Sequence, residues 1–233
     1  TNGDCFLQVA KSVPFSIVRK ESFDIENLEA LFFGKLNLLN EHLEDAYHIK
    51  LASHWKYLKI KYNLESEFGL HPQFFKLRPD NFPTIRLSQL VGLICNNQNL
   101  FSQLIEANSY SQIKQLLKSE TSEYWKSHYN FSKTSKTKSK VLTNQFIDLI
   151  IINTIIPIKF CHAKNQGKLN VEELISLLET MPSEKNSILN KFSEFNITTK
   201  TAFQSQSLLE LKNEYCNKNK CLNCAIGLQL LKN

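Results

Sequence analysis

The sequence contains few of the residues that mark fibrous or irregular proteins. Only 6 glycines and 6 prolines occur among 233 residues, of which 42% are hydrophobic and 21% charged. This composition excludes collagen-like, low-complexity and wholly disordered chains. The length is sufficient for one substantial core or two small ones.

Cysteines are also few, and no targeting segment is recognisable. Six cysteines in a chain of 233 residues are too sparse for a disulfide scaffold. The first four residues, Thr1-Asn-Gly-Asp4, have neither the basic nor the apolar region of a secretory signal. We therefore expect a cytoplasmic protein, and the missing initiator Met suggests a chain that begins inside a longer protein.

Arginine is rare although the chain is basic. Arg19, Arg78 and Arg86 are the only arginines among 28 basic residues, and the formal net charge is +6. An excess of lysine can reflect compositional drift, so the charge alone is weak evidence for a nucleic-acid partner. The retained arginines are more informative, because their planar fork binds phosphate or carboxylate in a bidentate manner.

Common catalytic signatures are missing. The sequence contains no Gly-x-Gly-x-x-Gly, Walker loop, His-Glu-x-x-His or Gly-x-Ser-x-Gly, and no spacing marks an acid/base pair of carboxylates. Catalysis by this chain alone therefore has no sequence support, and an autonomous enzyme is the weakest hypothesis.

Helical periodicity dominates the sequence. Asp24 predicts a helix start, Ser109 with Gln112 and Asn170 with Glu173 predict capping boxes, and Pro182-Ser183 predicts another start. No run alternates in the manner of a strand, and no hairpin signal has flanking strands. We predict an all-α, irregular multi-helix bundle with a Pro-rich turn segment at 68–83 and a C-terminal helical hairpin. Residues 1–233 form a single helical domain, or two lobes that meet near 132–140.

One apolar segment, residues 141–160, resembles a membrane span in length. Polar residues interrupt it, among them Asn144, Asp148 and Asn153. Since polar groups at a bilayer centre are costly, we predict a helix buried on most sides in a soluble core and no membrane partner.

The segment Leu77–Leu90 is the most unusual in the chain. Two of the three arginines lie in it, prolines stiffen it, and Thr84 is placed to cap the following helix. The arginines either bind a phosphate or carboxylate ligand or brace the fold internally. The candidate ligand-binding residues here are Arg78, Asn81, Arg86 and Gln89.

Aromatic residues surround a histidine in Tyr124–Tyr129. If this stretch is helical, Trp125 shares a face with His128 and Tyr129, where they can stack a base or hold a general acid. The competing interpretation is a packed core with a hydrogen-bonded histidine.

A polar run follows at residues 132–139, with Lys140 directly after it. It contains no apolar residue, and Lys133, Lys136, Lys138 and Lys140 make it a candidate contact for nucleic-acid phosphates. The simpler alternative is an exposed, mobile linker.

Three cysteines, Cys216, Cys221 and Cys224, lie close together near the C-terminus. A Cys-x2-Cys pair is a common half-site for zinc or an iron–sulfur cluster. The fourth ligand would have to come from Cys161, His162 or Cys5 through the fold. Alternatively, the thiols are reduced and simply pack a helical hairpin.

Several motifs together resemble a large bacterial family, one of those called a domain of unknown function. They include Leu28–Gly34, Leu77–Leu90, Tyr124–Phe131, Met181–Asn186 and Ser205–Gly227. The resemblance implies that this chain is the C-terminal helical half of longer proteins, and that an upstream region similar to PD-(D/E)xK nucleases precedes it.

Two functions are compatible with these observations. The first is a non-catalytic helical module that binds or positions nucleic acid for the nuclease-like domain. The alternative is a protein-interaction or structural module with no nucleic-acid role.

Overall fold

The computed structural model describes residues 2–65 and 71–231, and most of these residues are helical. The predicted all-α, multi-helix class is confirmed. The helices, in chain order, are α1 (Asn2–Ser12), α2 (Phe15–Glu21), α3 (Ile25–Lys35), α4 (Ala46–Lys61), α5 (Pro83–Asn96), α6 (Leu100–Glu106), α7 (Tyr110–Leu116), α8 (Glu123–Lys126), α9 (Asn144–Ile150), α10 (Ile156–Asn165), α11 (Val171–Thr180), α12 (Ser187–Glu194), α13 (Ala202–Glu210) and α14 (Ala225–Leu231).

The chain divides into two compact units. The first contains residues 1–100 and 117–142, and the second contains residues 101–116 and 143–233. The polar run at 132–140 belongs entirely to the first unit, and the chain passes to the second directly after residue 142. Each unit has its own internal contacts. That residues 1–233 form a single helical domain therefore stays a prediction.

Helix α3 is the centre of the first unit and packs against α4 and α5. It begins where predicted, because the Asp24 carboxylate accepts from the backbone N–H groups of Glu26 (2.9 Å) and Asn27 (3.1 Å). Gly34 lets the indole of Trp55 on α4 approach the α3 backbone. The largest fully buried side chains of this core include Leu28, Leu31, Phe33, Leu36, Leu51, Leu58, Ile85, Leu87 and Trp125.

The Pro-rich segment ends at the start of α5. Between His71 and Phe82 it contains a single 3-10 turn, Pro79–Asn81, and its predicted beginning at 68–70 lies outside the described residues. The prediction that Thr84 caps α5 is wrong. Phe82 is the N-cap and Pro83 occupies the first turn, so the Thr84 hydroxyl instead donates to the backbone carbonyl of Tyr129 (2.6 Å).

A small hairpin follows α8, where the sequence predicts a helical face up to Tyr129 and then an exposed polar run. Strand β1 (His128–Asn130) pairs antiparallel with β2 (Lys133–Thr134), and Ser132 at the turn has a positive φ of 63°. The pairing is short and irregular, so no alternating run announces it in the sequence. The predicted helical face shared by Trp125, His128 and Tyr129 is therefore wrong, because α8 ends at Lys126.

In the second unit, α9, the π-helical segment Ile151–Ile155 and α10 form one continuous helix. The π segment precedes Pro157, which has no N–H to continue the regular ladder. Lys159 on α10 is buried, and its ammonium donates to the carbonyls of Leu104 (3.1 Å), Ile105 (2.6 Å) and Ala107 (2.9 Å). It thereby satisfies carbonyls at the end of α6.

Within the described residues, the helix Asn144–Asn165 alone is long and apolar enough to cross a membrane, by length and composition only. Only 28% of its most apolar 18-residue window is buried inside the protein, so the predicted burial on most sides is wrong.

The other helix starts of this unit follow local caps. Ser109 with Gln112 forms the predicted capping box at α7, and Asn170 caps α11. The helix predicted from Pro182 instead begins at Ser187, because the Asn186 side chain caps α12. After α13 the chain continues through a π-helical stretch, Leu211–Cys216, and a 3-10 turn, Cys221–Asn223, into the short α14.

Candidate functional site

The structure brings most of the basic and amide residues singled out from the sequence into the first unit. Arg86 lies in the first turn of α5, where its guanidinium donates to Asn81 Oδ1 (2.6 Å) and Gln89 Oε1 (2.9 Å). Burial lowers the pKa of Arg86 below its ordinary value, yet an arginine remains charged at neutral pH. The two amides thus hold the guanidinium in one orientation.

Gln89 connects α5 to the segment that contains the lysines. Its side-chain Nε2 donates to the backbone carbonyl of Lys140 (3.0 Å), and its backbone carbonyl accepts from the Ser119 hydroxyl (2.6 Å). Gln89 is buried, so these bonds are formed away from solvent. Gln89 is therefore a structural link between two parts of the chain.

Lys140 is buried, unlike the other predicted contact lysines. Its side chain is only 4% exposed, and its ammonium donates to the backbone carbonyls of Trp125, Lys126 (3.2 Å) and His128 (2.9 Å). The same nitrogen lies 3.9 Å from the centre of the Tyr129 ring, a cation–π contact. Burial lowers the pKa of this lysine. Lys140 is thus an internal anchor and does not belong to the solvated run.

We call residues 132–140 the basic strap. Its backbone is held at both ends and in the middle: the N–H of Ser132 donates to Asp45 Oδ2 (3.1 Å), that of Ser135 to the Ser127 carbonyl (2.7 Å), and that of Lys138 to the Lys126 carbonyl (3.0 Å). The Lys140 carbonyl accepts from the N–H of Thr121 (3.3 Å). The basic strap is therefore an ordered part of the first unit, which contradicts the mobile-linker alternative.

The outer side of the basic strap carries exposed charge. Lys138 forms an ion pair with Asp80 (3.0 Å), which also accepts a hydrogen bond from the Tyr129 hydroxyl (3.0 Å). The hydrogen bond from Lys138 lowers the pKa of Asp80. Lys133 and Lys136 are exposed, and neither forms an ion pair with any residue that the structure describes.

Arg78 lies just before Asp80 in the chain, at the start of the 3-10 turn. Its side chain is exposed and has no hydrogen bond or ion pair within residues 2–65 and 71–231. Because Asp80 is bonded to Lys138 of the basic strap, the turn that carries Arg78 is fixed beside it. Arg78, Lys133 and Lys136 are therefore exposed cations of this region that form no ion pair with a described residue, unlike Lys138.

The aromatic residues of 124–129 are packed inward. Trp125 is fully buried and stacks on Phe33 at 5.3 Å between ring centres. The His128 ring stacks on Tyr124 at 4.0 Å, and its Nδ1 lies 2.9 Å from the Tyr124 carbonyl oxygen. A fully buried indole cannot receive a base, so Trp125 belongs to the core.

Glu29 is the residue of this region that the sequence reasoning missed. Its carboxyl is completely buried on α3 and accepts hydrogen bonds from Ser88 Oγ (2.6 Å), Tyr47 Oη (2.7 Å) and Trp125 Nε1 (3.0 Å). Burial raises its pKa, while these hydrogen bonds lower it in part. The available signal was a glutamate inside the apolar run Leu28-Glu-Ala-Leu-Phe-Phe33.

The C-terminal cysteines belong to the second unit. Cys216 and Cys221 are exposed and Cys224 is buried. No three His, Cys, Asp or Glu side chains among the described residues are placed to hold a metal ion together. The three-thiolate site predicted for zinc or an iron–sulfur cluster is therefore not formed there, and the side chain of Cys5 lies outside the described residues.

Comparison with known proteins relates this chain to a family through its sequence, and to no known structure. No curated protein and no solved structure matches the chain. A family profile described as "Protein of unknown function (DUF2851)" matches residues 1–187, which include the whole first unit and the basic strap. Since that match covers most of the chain, the protein belongs to this domain-of-unknown-function family.

Proposed function

We propose that the first unit binds the phosphate backbone of a nucleic acid. Arg78 and the basic strap form the contact surface. The observation that carries the proposal is that the basic strap is ordered by the buried Lys140 while Lys133 and Lys136 remain exposed. A solvated linker would need none of these backbone bonds.

An ordered strap favours phosphate binding for an entropic reason. Cations on a mobile segment lose backbone freedom when they engage a ligand, whereas cations on a fixed backbone lose only side-chain freedom. The net charge of +6 adds a long-range attraction for a polyanion. Both effects increase affinity without requiring new contacts.

The same region offers little for reading bases. Trp125 is fully buried and presents no ring face to a nucleobase, and Tyr124 covers one face of the half-buried His128 ring. Contacts to phosphate position a protein on nucleic acid but carry no sequence information. Binding at the basic strap is therefore expected to be insensitive to sequence.

The proposal includes a positioning role. A module that holds the phosphate backbone without reacting with it would present nucleic acid to a nuclease-like domain in a longer protein. Only the sequence resemblance supports this part of the proposal.

The alternative is an interaction or structural module without a nucleic-acid role. One observation favours it: several polar groups first considered as ligand contacts are used internally, namely Lys140 by three carbonyls and Gln89 by the Lys140 carbonyl. Under this alternative, the exposed lysines reflect composition alone and their removal changes no binding.

Fluorescence anisotropy with a labelled 20-base single strand and the matching duplex, at about 50 mM salt, tests the proposal. Replacing Lys133 and Lys136 together by Gln is expected to weaken binding roughly tenfold, and Arg78→Gln is expected to act in the same direction. All three positions are exposed, so the variants should fold normally.

The matched control is the double replacement Lys11→Gln and Lys56→Gln, which removes two exposed charges from the same unit. Equal weakening by both double variants would mean that only net charge matters and would contradict a specific surface. The absence of binding at low salt would favour the structural alternative.

A further inference from the structure

We propose that an open cleft between the end of α2 and the end of α5 binds a nucleoside phosphate, with the phosphate on Arg19 and Lys20 and the base on Phe23. The cleft encloses ≈ 700 Å³ and lies in the first unit. Its lining consists of Ser16, Arg19, Lys20, Ser22, Phe23, Gln98 and Asn99.

The charge of the cleft is entirely positive. Arg19 and Lys20 are exposed in the last turn of α2, and neither is ion-paired with a described residue. The neighbouring carboxylates are used elsewhere: Glu21 accepts from Lys61 (2.8 Å), and Asp24 caps α3. Adjacent cations without a carboxylate in the lining predict an anionic ligand.

Arginine at this position is a further sign of a specific role. Arg19 is one of three arginines in a chain that otherwise uses lysine. Its planar fork can hold two oxygens of one phosphate, which a lysine cannot do. A dianionic phosphate shared by Arg19 and Lys20 would neutralise the cleft.

The remaining lining fits the other half of a nucleotide. Phe23 is 77% exposed, which is unusual for a phenylalanine and leaves a ring face free for stacking. The side-chain amides of Gln98 and Asn99 form no hydrogen bond with any described residue. An amide carries both a donor and an acceptor, which is the pattern that pairs with the edge of adenine.

The cleft would recognise a phosphate next to a base. Two kinds of ligand carry that pair: a free mononucleotide, or one nucleotide of a single strand. Isothermal titration of the full chain with AMP, with inorganic phosphate and with a ten-base deoxyadenylate separates them. AMP binding stronger than that of phosphate identifies a mononucleotide site. Binding of the ten-base strand without AMP binding identifies a site for a strand, provided that Arg19→Gln weakens it.

Two variants and two controls make the test specific. Arg19→Gln and Phe23→Leu are each expected to weaken the binding of AMP, or of the strand, about tenfold. The controls are Lys56→Gln, an exposed lysine outside the cleft, and Phe195→Leu, a phenylalanine that is 75% exposed in the second unit. Neither control should change binding.

The proposal is overturned if neither AMP nor the strand binds, or if Arg19→Gln and Lys56→Gln have the same effect. Equal affinity for phosphate and AMP, with no effect of Phe23→Leu, overturns the assignment to a nucleoside. Since all four replaced side chains are exposed, matching thermal unfolding curves would exclude misfolding as the cause.

Discussion

The ammonium of Lys140 donates a hydrogen bond to the backbone carbonyl of Trp125. The same ammonium donates to the carbonyl of Lys126, the last residue of α8, and to that of His128, the first residue of β1. The carbonyls at the end of a helix have no partner in the helix itself, and Lys140 supplies one for α8. A buried lysine thus holds the basic strap in place, while Lys133 and Lys136 of the same strap are exposed and form no ion pair with a described residue.

Replacing Lys140 by Met should destabilise the protein more than any other lysine substitution in the basic strap. Met retains much of the apolar stem but leaves three carbonyls without their donor. We expect the free energy of unfolding in urea to fall by about 2–4 kcal/mol. Lys136→Met, at an exposed position, should change it by less than about 0.5 kcal/mol. Equal effects of the two variants would contradict the anchoring role.

The buried carboxyl of Glu29 should make stability depend on pH. Because burial raises its pKa above the usual 4.5, the folded protein binds a proton more tightly than the unfolded chain. The contribution of Glu29 protonation to the free energy of unfolding is therefore fully present at low pH. It decreases as the pH rises from the pKa of Glu29 in the unfolded chain through its pKa in the folded protein.

Glu29→Gln removes this titration, so wild type should gain stability relative to the variant as the pH falls from 8 towards about 4.5. Urea denaturation at several pH values measures the difference. The control is Glu41→Gln, at an exposed carboxylate. A constant difference between wild type and Glu29→Gln would show that Glu29 keeps one protonation state throughout.

Local signals made the helices predictable, whereas the site depends on long-range contacts. Asp24 and the pair Ser109 with Gln112 cap helices through neighbours only two or three residues away, which the sequence displays directly. The bonds of Lys140 depend on carbonyls at least 12 residues away. A lysine that ends a lysine-rich run gives no sign that it, unlike the others, is buried.

The hairpin and the buried carboxyl escaped prediction for related reasons. β1 and β2 are too short to show alternation, and the spacing from Trp125 to Tyr129 imitates a helix turn. Glu29 lies on a helix whose faces are almost all buried, so its partners Tyr47, Ser88 and Trp125 come from other elements. Only tertiary packing identifies such a residue.

Gly34→Ala tests the close packing of α3 on α4. Alanine normally stabilises a helix relative to glycine by about 1 kcal/mol. At this position, however, the added Cβ would overlap the Trp55 indole, which is buried. We therefore expect a loss of about 1–3 kcal/mol in thermal or urea unfolding. A gain in stability would contradict the packing, and Ser53→Ala on the exposed side of α4 serves as the control.

Asp80→Asn should strengthen nucleic-acid binding. The substitution removes an exposed carboxylate that pairs with Lys138, so it adds one unit of positive charge and releases an ammonium for phosphate. We expect severalfold tighter binding at about 50 mM salt and a smaller gain at higher salt. Glu41→Asn, which removes an exposed carboxylate that forms no ion pair with a described lysine of the basic strap, should have less effect. Weaker binding by Asp80→Asn would mean that Asp80 positions the surface and does not compete with phosphate.

The salt dependence of binding tests the central claim most directly. We propose that Lys133 and Lys136 each neutralise a phosphate, so their joint replacement by Gln should reduce the slope of log affinity against log salt by roughly 1.8 on a duplex. The Lys11→Gln and Lys56→Gln double variant should keep the wild-type slope. An unchanged slope in the Lys133 and Lys136 variant would contradict the account, because it would show that the basic strap does not contact phosphate.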